Sequence, residues 1–143
     1  MAAFDLTEML ADLQALVEVE SPSRDVTALT RSAAAVAELI ERRLGRTPDV
    51  IDGPAGPHVH LRASSPPRVL VLGHHDTVFP LGTLSARPFT VADGRATGPG
   101  VFDMKGGLVV AVHALAAVGA DAADLLISAD EEVGSAIAAA ASS

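Results

Sequence analysis

The sequence predicts an α/β domain, and two observations support this prediction. Apolar residues recur at helical spacing over the first 44 positions and then give way to short apolar segments with strand-like patterns. The two most apolar of these segments, Arg68 to Gly73 and Asp124 to Ser128, are separated by a long apolar helix pattern. Helices that precede and connect buried strands are typical of a layered α/β sandwich.

Three helices are predicted. Asp5 and Glu8 have the spacing of a capping box, which begins a first helix with its apolar face at Leu6, Met9, Leu10, Leu13, Leu16 and Val17. Ser21-Pro22-Ser23 interrupts this pattern, and a second amphipathic helix ends at Gly45, with Val26, Leu29, Ala33, Val36, Ile40 and Leu44 inward. The third helix is predicted from Asp103 to Val118.

The strands are predicted from alternation and from continuous apolar runs. In His58 to Ala63, His58 and His60 fall on one face, which we expect to be wet. The run Arg68 to Gly73 is typical of a central strand covered on both sides. The other predicted segments are a strand at Thr47 to Ile51, an exposed loop at Thr77 to Pro88, a hairpin around Asp93-Gly94 and a buried strand at Asp124 to Ser128.

Composition excludes several classes of function. The chain has 143 residues, enough for a single domain with a core, and its net charge of −8 with no basic stripe argues against a nucleic-acid partner. Because there is no cysteine, any metal must be bound by His, Asp and Glu. The N-terminus lacks the pattern of a secretory signal, and the apolar segment Gly106 to Ala120 is shorter than the roughly 20 residues of a membrane span. We therefore expect a cytoplasmic protein with no membrane partner.

Three short segments carry the residue types of a metal site. His74-His75-Asp76 and Asp130-Glu131-Glu132 each follow an apolar strand, and Asp103 lies midway between them in a glycine-rich stretch. Strand alternation places His74 and Asp76 on one side, so that His74 can bind a metal while Asp76 holds its second ring nitrogen. His75 faces away. Ligands of open α/β sheets bind beyond the carboxyl ends of the strands, where both charged segments are expected.

Each segment also has a structural interpretation. His74 could be a satisfied histidine in a polar turn, Asp103 could cap the third helix, and the three acids could form a solvated turn. We expect His58, His60 and His113 to be structural residues. A nucleotide site is rejected because neither G-x-x-x-x-G-K-S/T nor a complete G-x-G-x-x-G is present.

Together the motifs resemble a known family. HHDTV at 74–78, GPGVFDMKGG at 98–107 and DEEVGS at 130–135 are similar, in order and spacing, to motifs of the co-catalytic zinc metallopeptidases. This family includes glutamate carboxypeptidase, acetylornithine deacetylase, succinyl-diaminopimelate desuccinylase and aminoacylase. LVEVESPSRD at 16–25 and FPLGTLSARPF at 79–89 look closest to the glutamate carboxypeptidase branch. The resemblance implies a three-layer α/β/α sandwich of the zinc-exopeptidase (phosphorylase/hydrolase-like) type.

The resemblance also implies roles for individual residues. His74 would bind one of two Zn²⁺ (or Co²⁺) ions, Asp103 would bridge both, and Glu132 would bind the second. Asp76 would orient His74, and Glu131 would be the general base that takes a proton from the attacking water. A cis peptide bond is expected after Asp103. The implied activity is hydrolysis of amide bonds in small peptides or N-acyl amino acids, by a carboxypeptidase or an amidohydrolase.

The family pattern is incomplete in these 143 residues. Two further metal ligands, one acidic residue and one histidine, and a lid domain that usually forms the homodimer are absent. We therefore expect residues 1–143 to be the N-terminal part of a catalytic domain, incomplete at the C-terminus and inactive alone. The alanine-rich tail would begin the next helix. The alternatives are a non-catalytic metal-binding or assembly fragment and a simple α/β domain in which the acids are caps and turns.

Overall fold

Three helices cover one face of a four-stranded sheet in the part of the chain that the structure describes, residues 4–66 and 69–135 of a computed structural model. In chain order the elements are α1 (Leu6–Val17), α2 (Val26–Leu44), β1 (Asp49–Ile51), β2 (His58–Leu61), β3 (Leu70–His74), α3 (Thr83–Ala86), β4 (Thr90–Ala92), β5 (Arg95–Thr97), α4 (Gly106–Val118) and β6 (Asp124–Ser128). The predicted tail falls largely on 136–143, outside the described residues.

The first helix begins, and the second helix ends, where the sequence predicts. The Asp5 carboxylate accepts hydrogen bonds from the backbone N–H groups of Thr7 and Glu8, at 2.9 and 3.2 Å, and caps α1. Gly45 ends α2 in the left-handed conformation, with φ of 65°. Most residues of the predicted inward faces pack in the core, but Leu6 and Val26 in the first turns are 67% and 47% exposed, and Leu10 also lies outside the core.

The sheet has the order β1-β2-β6-β3, in which β3 and β6 are parallel and the other pairs are antiparallel. Its core-facing side chains pack against α1, α2 and α4 and come from alternate positions, chiefly Val59, Leu61, Leu125 and Ile127. On the opposite face, Leu70 and Leu72 are half exposed. The α/β prediction is confirmed, and the described residues supply the sheet and one of the two predicted helical layers.

Two strand predictions are wrong. The run from Arg68 was expected to be central, but β3 stands at the end of the strand order in the described sheet, because β6 pairs between it and β2. His58 was expected on a wet face, but it is buried and its Nδ1 accepts a hydrogen bond from the backbone of Ala129 at 3.1 Å. The segment after β6 therefore covers this end of β2.

The connection between β3 and β6 contains a short helix and a hairpin in addition to α4. The segment expected to be an exposed loop includes the short helix α3, and Thr77 at its start is buried. The hairpin around Asp93-Gly94 is confirmed as β4 and β5, with φ of 52° and 73° at these two residues, as a two-residue turn of this kind requires.

Helix α4 is the most apolar helix of the described chain. By length and composition alone, the stretch Val101–Val118 could cross a membrane. Its α-helical part has 13 residues and is about 20 Å long, since each residue adds about 1.5 Å. This helix contributes Leu108, Val109, Val112 and Leu115 to the core, so its apolar composition has a structural explanation.

Candidate metal centre

The carboxyl ends of β3 and β6 bring two of the three charged motifs together. The two strands are parallel, and His74 at the end of β3 is paired with Ser128 at the end of β6. The chain continues from these neighbouring positions into Asp76 and into Asp130. The predicted convergence of the two motifs at one edge of the sheet is therefore present in the structure.

His74 lies at the centre of this edge and is buried. Its Nε2 is 2.9 Å from an oxygen of the Asp103 carboxylate. Its Nδ1 is 2.9 Å from the backbone carbonyl of Asp76 and 3.3 Å from the Asp76 carboxylate. Asp76 thus contacts this ring nitrogen through both its backbone carbonyl and its carboxylate, and the second contact is the one expected from the sequence.

The Asp76 carboxylate is completely buried and connects several segments. One of its oxygens accepts a hydrogen bond from the backbone N–H of Glu131, and the other accepts from the backbone N–H of Glu132, both at 3.2 Å. The Ser23 hydroxyl donates to the second oxygen at 2.7 Å. Asp76 therefore fixes the turn Glu131–Val133 as well as contacting His74.

Asp103 lies in an irregular turn, Val101–Lys105, that precedes α4. The helix was expected to start at Asp103 but begins at Gly106, because Asp103 and Met104 have non-helical backbone angles. The peptide bond between these two residues is cis, as the resemblance implied. The Asp103 carboxylate contacts His74 instead of capping the helix, and its side chain is 64% exposed.

Glu131 and Glu132 complete the cluster. Each of His74, Glu131 and Glu132 offers one ligand atom within 4.8 Å of the others, and a Glu131 oxygen is 3.7 Å from Nε2 of His74. An open cleft of about 330 Å³ is lined by His74, Asp103 and Glu131. A second cleft of about 220 Å³ is lined by Asp103, Glu132 and Phe102. The carboxylates of the cluster are thus accessible from both sides of Asp103.

The electrostatics of the cluster favour a positive charge on His74. Burial alone would lower the pKa of His74, but its contacts with Asp76 and Asp103 outweigh burial and raise this pKa to about 9. Burial, followed by the negative charge of Asp103, raises the pKa of Glu132. One imidazole and two carboxylates, those of Glu131 and Glu132, form a donor set of hard and borderline ligands that suits Zn²⁺ or Co²⁺, and the Asp103 carboxylate lies beside it in contact with His74. The residues present therefore fit a divalent cation.

Two of the other histidines, His75 and His113, have structural contacts. Both ring nitrogens of His75 are 2.9 Å from oxygen partners, the Ser32 hydroxyl and the Pro57 carbonyl, so His75 is not available to a metal, as expected. His113 lies 2.7 Å from the carboxylate of Asp12, which agrees with its prediction as a core or boundary residue.

Ser23 is a site neighbour that no pattern in the sequence indicates. In the sequence, the Ser21-Pro22-Ser23 segment interrupts a helical pattern and forms part of a stretch that resembles the family. Contacts between residues 23 and 76 have no periodicity that a single sequence can show. The only signal was that LVEVESPSRD belongs to the resembling segments although it carries none of the expected ligands.

The fold and the cluster define an α/β domain with a histidine–carboxylate centre at the carboxyl edge of its sheet. The sequence model of Peptidase family M20/M25/M40 matches residues 70–142, just over half of the chain. The chain belongs to this family. Carboxypeptidase G2 from Pseudomonas sp. (strain RS-16) is 45% identical over 47 residues, which are 33% of this chain and 11% of that protein.

Solved structures show the same fold. An M20 family metallo-carboxypeptidase from Sulfolobus solfataricus is similar with a TM-score of 0.68 and 20% identity, over 93% of this chain and 32% of that one. Human carnosine dipeptidase 1 is similar with a TM-score of 0.69 and 25% identity, over 91% of this chain and 33% of that one. The chain thus spans about a third of the length of these structures.

Proposed function

We propose that the chain forms the N-terminal, metal-binding part of the catalytic domain of a metal-dependent hydrolase, which cleaves amide bonds in small peptides or N-acyl amino acids. The observation that carries this proposal is the convergence of His74, Glu131 and Glu132, with Asp103 in contact with His74. Membership of a peptidase family and similarity to proteins named as carboxypeptidases and a dipeptidase support it.

Each residue of the cluster has a proposed task. His74, Asp103 and Glu132 would hold two divalent cations, Zn²⁺ or Co²⁺, which when bound polarise a carbonyl group and acidify water. Glu131 would take the proton of the attacking water, and its side chain is 56% exposed and so can reach a substrate in the cleft. Asp76 would hold the His74 ring in place.

We further propose that a polypeptide of these 143 residues is inactive by itself. It contains three of the five metal ligands that the resemblance implies, and each missing ligand leaves a cation more weakly bound. Homodimerisation through a lid domain and a cytoplasmic location stay predictions.

Calorimetric titration with Zn²⁺ tests the metal centre. We expect the wild type to bind zinc and His74→Ala to weaken binding at least about tenfold, since loss of even an outer partner of a metal site typically costs 10–100-fold. Glu38→Gln, which changes an exposed acid in α2, is the control and should bind zinc like the wild type. Unchanged affinity in both His74→Ala and Asp103→Ala would contradict the proposal and support the interpretation of the acids as caps and turns.

An amide-hydrolysis assay tests the second part. With dipeptides and N-acetyl amino acids as substrates and added Zn²⁺ or Co²⁺, we expect no turnover by the 143-residue polypeptide. Turnover that Glu131→Gln abolishes would refute the proposed inactivity and would directly support the hydrolase. Tight zinc binding accompanied by self-association in light scattering would favour the non-catalytic assembly fragment.

A further inference from the structure

The segment between α1 and α2 lies directly against the candidate metal centre. The backbone N–H of Thr77 donates to the Ser21 carbonyl at 2.8 Å, and the N–H of Ser23 donates to the Thr77 carbonyl at 3.0 Å. The Ser21 hydroxyl also donates to the backbone carbonyl of His75 at 2.6 Å. The segment is therefore held along the chain that follows β3 mainly by backbone hydrogen bonds, which do not depend on the Ser23 side chain.

The Ser23 side chain makes a different kind of contact. Its hydroxyl donates to the buried Asp76 carboxylate at 2.7 Å, which is shorter than the 3.2 Å bonds from the backbone N–H groups of Glu131 and Glu132. A carboxylate has about four lone-pair positions, and these three donors with the His74 ring account for all four. Ser23 is the hydroxyl donor to this carboxylate among the described residues.

Burial of Asp76 makes these contacts necessary. A buried polar group without partners carries a large desolvation cost, and a buried charge carries a larger one. Burial alone would raise the pKa of Asp76, but the hydrogen bonds from His74 and Ser23 are among the contacts that lower it instead. Without the Ser23 hydroxyl, that oxygen of the carboxylate would keep only the longer bond from Glu132 and would have one unsatisfied lone pair.

We propose that Ser23 is a positioning residue of the metal centre, whose hydroxyl fixes the Asp76 carboxylate and through it the His74 ring and the Glu131–Glu132 turn. This inference rests on the proposed function, because the positions of these groups matter for metal binding only if the groups have the proposed roles. It extends the centre to a fourth segment of the chain, about fifty residues before His74.

Zinc titration of four variants tests the proposal. Ser23→Ala removes the hydroxyl and should weaken zinc binding about tenfold, the low end of the 10–100-fold effects of outer partners. Ser23→Thr keeps a hydroxyl and should restore affinity to near the wild-type value. Ser21→Ala removes the neighbouring hydroxyl, which contacts a backbone carbonyl, and should lower the Tm while leaving zinc affinity unchanged. Ser85→Ala, on the exposed surface of α3, should change neither.

NMR of the metal-free protein provides a second readout. The backbone N–H groups of Glu131 and Glu132 should exchange faster with solvent in Ser23→Ala than in the wild type, Ser23→Thr or Ser21→Ala. The ring-nitrogen signals of His74 should shift in the same variant. A change confined to the Tm would show that Ser23 only stabilises the fold.

The outcomes separate the two proposals. Zinc affinity of Ser23→Ala within twofold of the wild type, or an equal loss in Ser21→Ala, would overturn the role of Ser23. If the wild type binds no zinc through His74, the proposed function fails first. The exchange rates then still decide whether Ser23 controls the Glu131–Glu132 turn, and unchanged rates would overturn that link as well.

Discussion

Replacement of Asp12 by asparagine should lower the stability of the domain substantially. Asp12 in α1 is only 3% exposed, and its carboxylate accepts hydrogen bonds from two arginines of α2 and contacts a histidine of α4. The distances are 3.0 Å to Arg42, 2.7 Å to Arg43 and 2.7 Å to His113. Asp12→Asn removes the negative charge that these three side chains share.

The magnitude follows from the pKa of Asp12. Burial alone would raise this pKa, but the hydrogen bonds from Arg43, His113 and Arg42 outweigh burial and lower it from 3.8 to about 2. Since one pKa unit corresponds to about 1.4 kcal/mol, ionised Asp12 stabilises the fold by about 2 kcal/mol at pH 7. Because the folded-state pKa is the lower one, this stabilisation is present above pH 3.8 and is lost as the pH falls through about 2.

Urea unfolding followed by circular dichroism checks the prediction. At pH 7, Asp12→Asn should lose about 2 kcal/mol, or about 4–8 °C in Tm for a chain of this size. At pH 3 the difference from the wild type should be about half as large. Glu38→Gln, which removes an exposed partner of Arg42 at 3.7 Å, is the control and should cost less than about 1 kcal/mol. A loss below about 0.5 kcal/mol at pH 7, or a loss that does not shrink in acid, would refute the reasoning.

Two further substitutions test packing around the candidate centre. Lys105→Met should lower the free energy of unfolding, measured in urea, by about 2 kcal/mol. The buried Lys105 ammonium donates to the backbone carbonyls of Leu16 and Val19, at 2.9 and 2.7 Å, and methionine would leave both without this donor. Unchanged stability would contradict this explanation. Gly73→Ala should cost about 1–3 kcal/mol in the same assay, because its added methyl would lie 2.7 Å from Cδ2 of Leu108. Gly107→Ala, which meets only a flexible methionine end at 3.3 Å, is the control, and an equal loss there would argue against the steric explanation.

The parts of the fold that sequence predicted well depend on local patterns. Capping residues gave the start of α1, and a left-handed glycine gave the end of α2. The Asp93-Gly94 pair gave the hairpin, because few residue pairs accept two positive φ angles in succession. Alternation along β3 placed His74 and Asp76 together, and the strand ends placed them near the acids.

The parts that sequence did not predict depend on long-range contacts. An apolar run indicates a buried strand, but it does not show which strands pair. In the structure β3 pairs with β6 and is the last strand in the order of the described sheet. His58 looked solvent-exposed by alternation, yet the chain after β6 covers it, and Gly53 approaches so closely that an added methyl would lie 2.6 Å from the ring. The start of α4 was misplaced because the backbone of Asp103 turns its carboxylate toward His74.

The structure also changes which residue organises the centre. Sequence position suggested Asp103, but the Asp103 side chain is 64% exposed and accepts its hydrogen bond from His74, whereas Asp76 is fully buried and joins three segments. A cation bound to Nε2 of His74 would replace the proton that this nitrogen donates to the Asp103 carboxylate, since the nitrogen cannot hold both. Asp103 has the exposure to move, while Asp76 and Ser23 keep the ring fixed. The anchored part of the centre is therefore the buried carboxylate behind the histidine, and the exposed Asp103 side chain is the part that solvent and a ligand can reach.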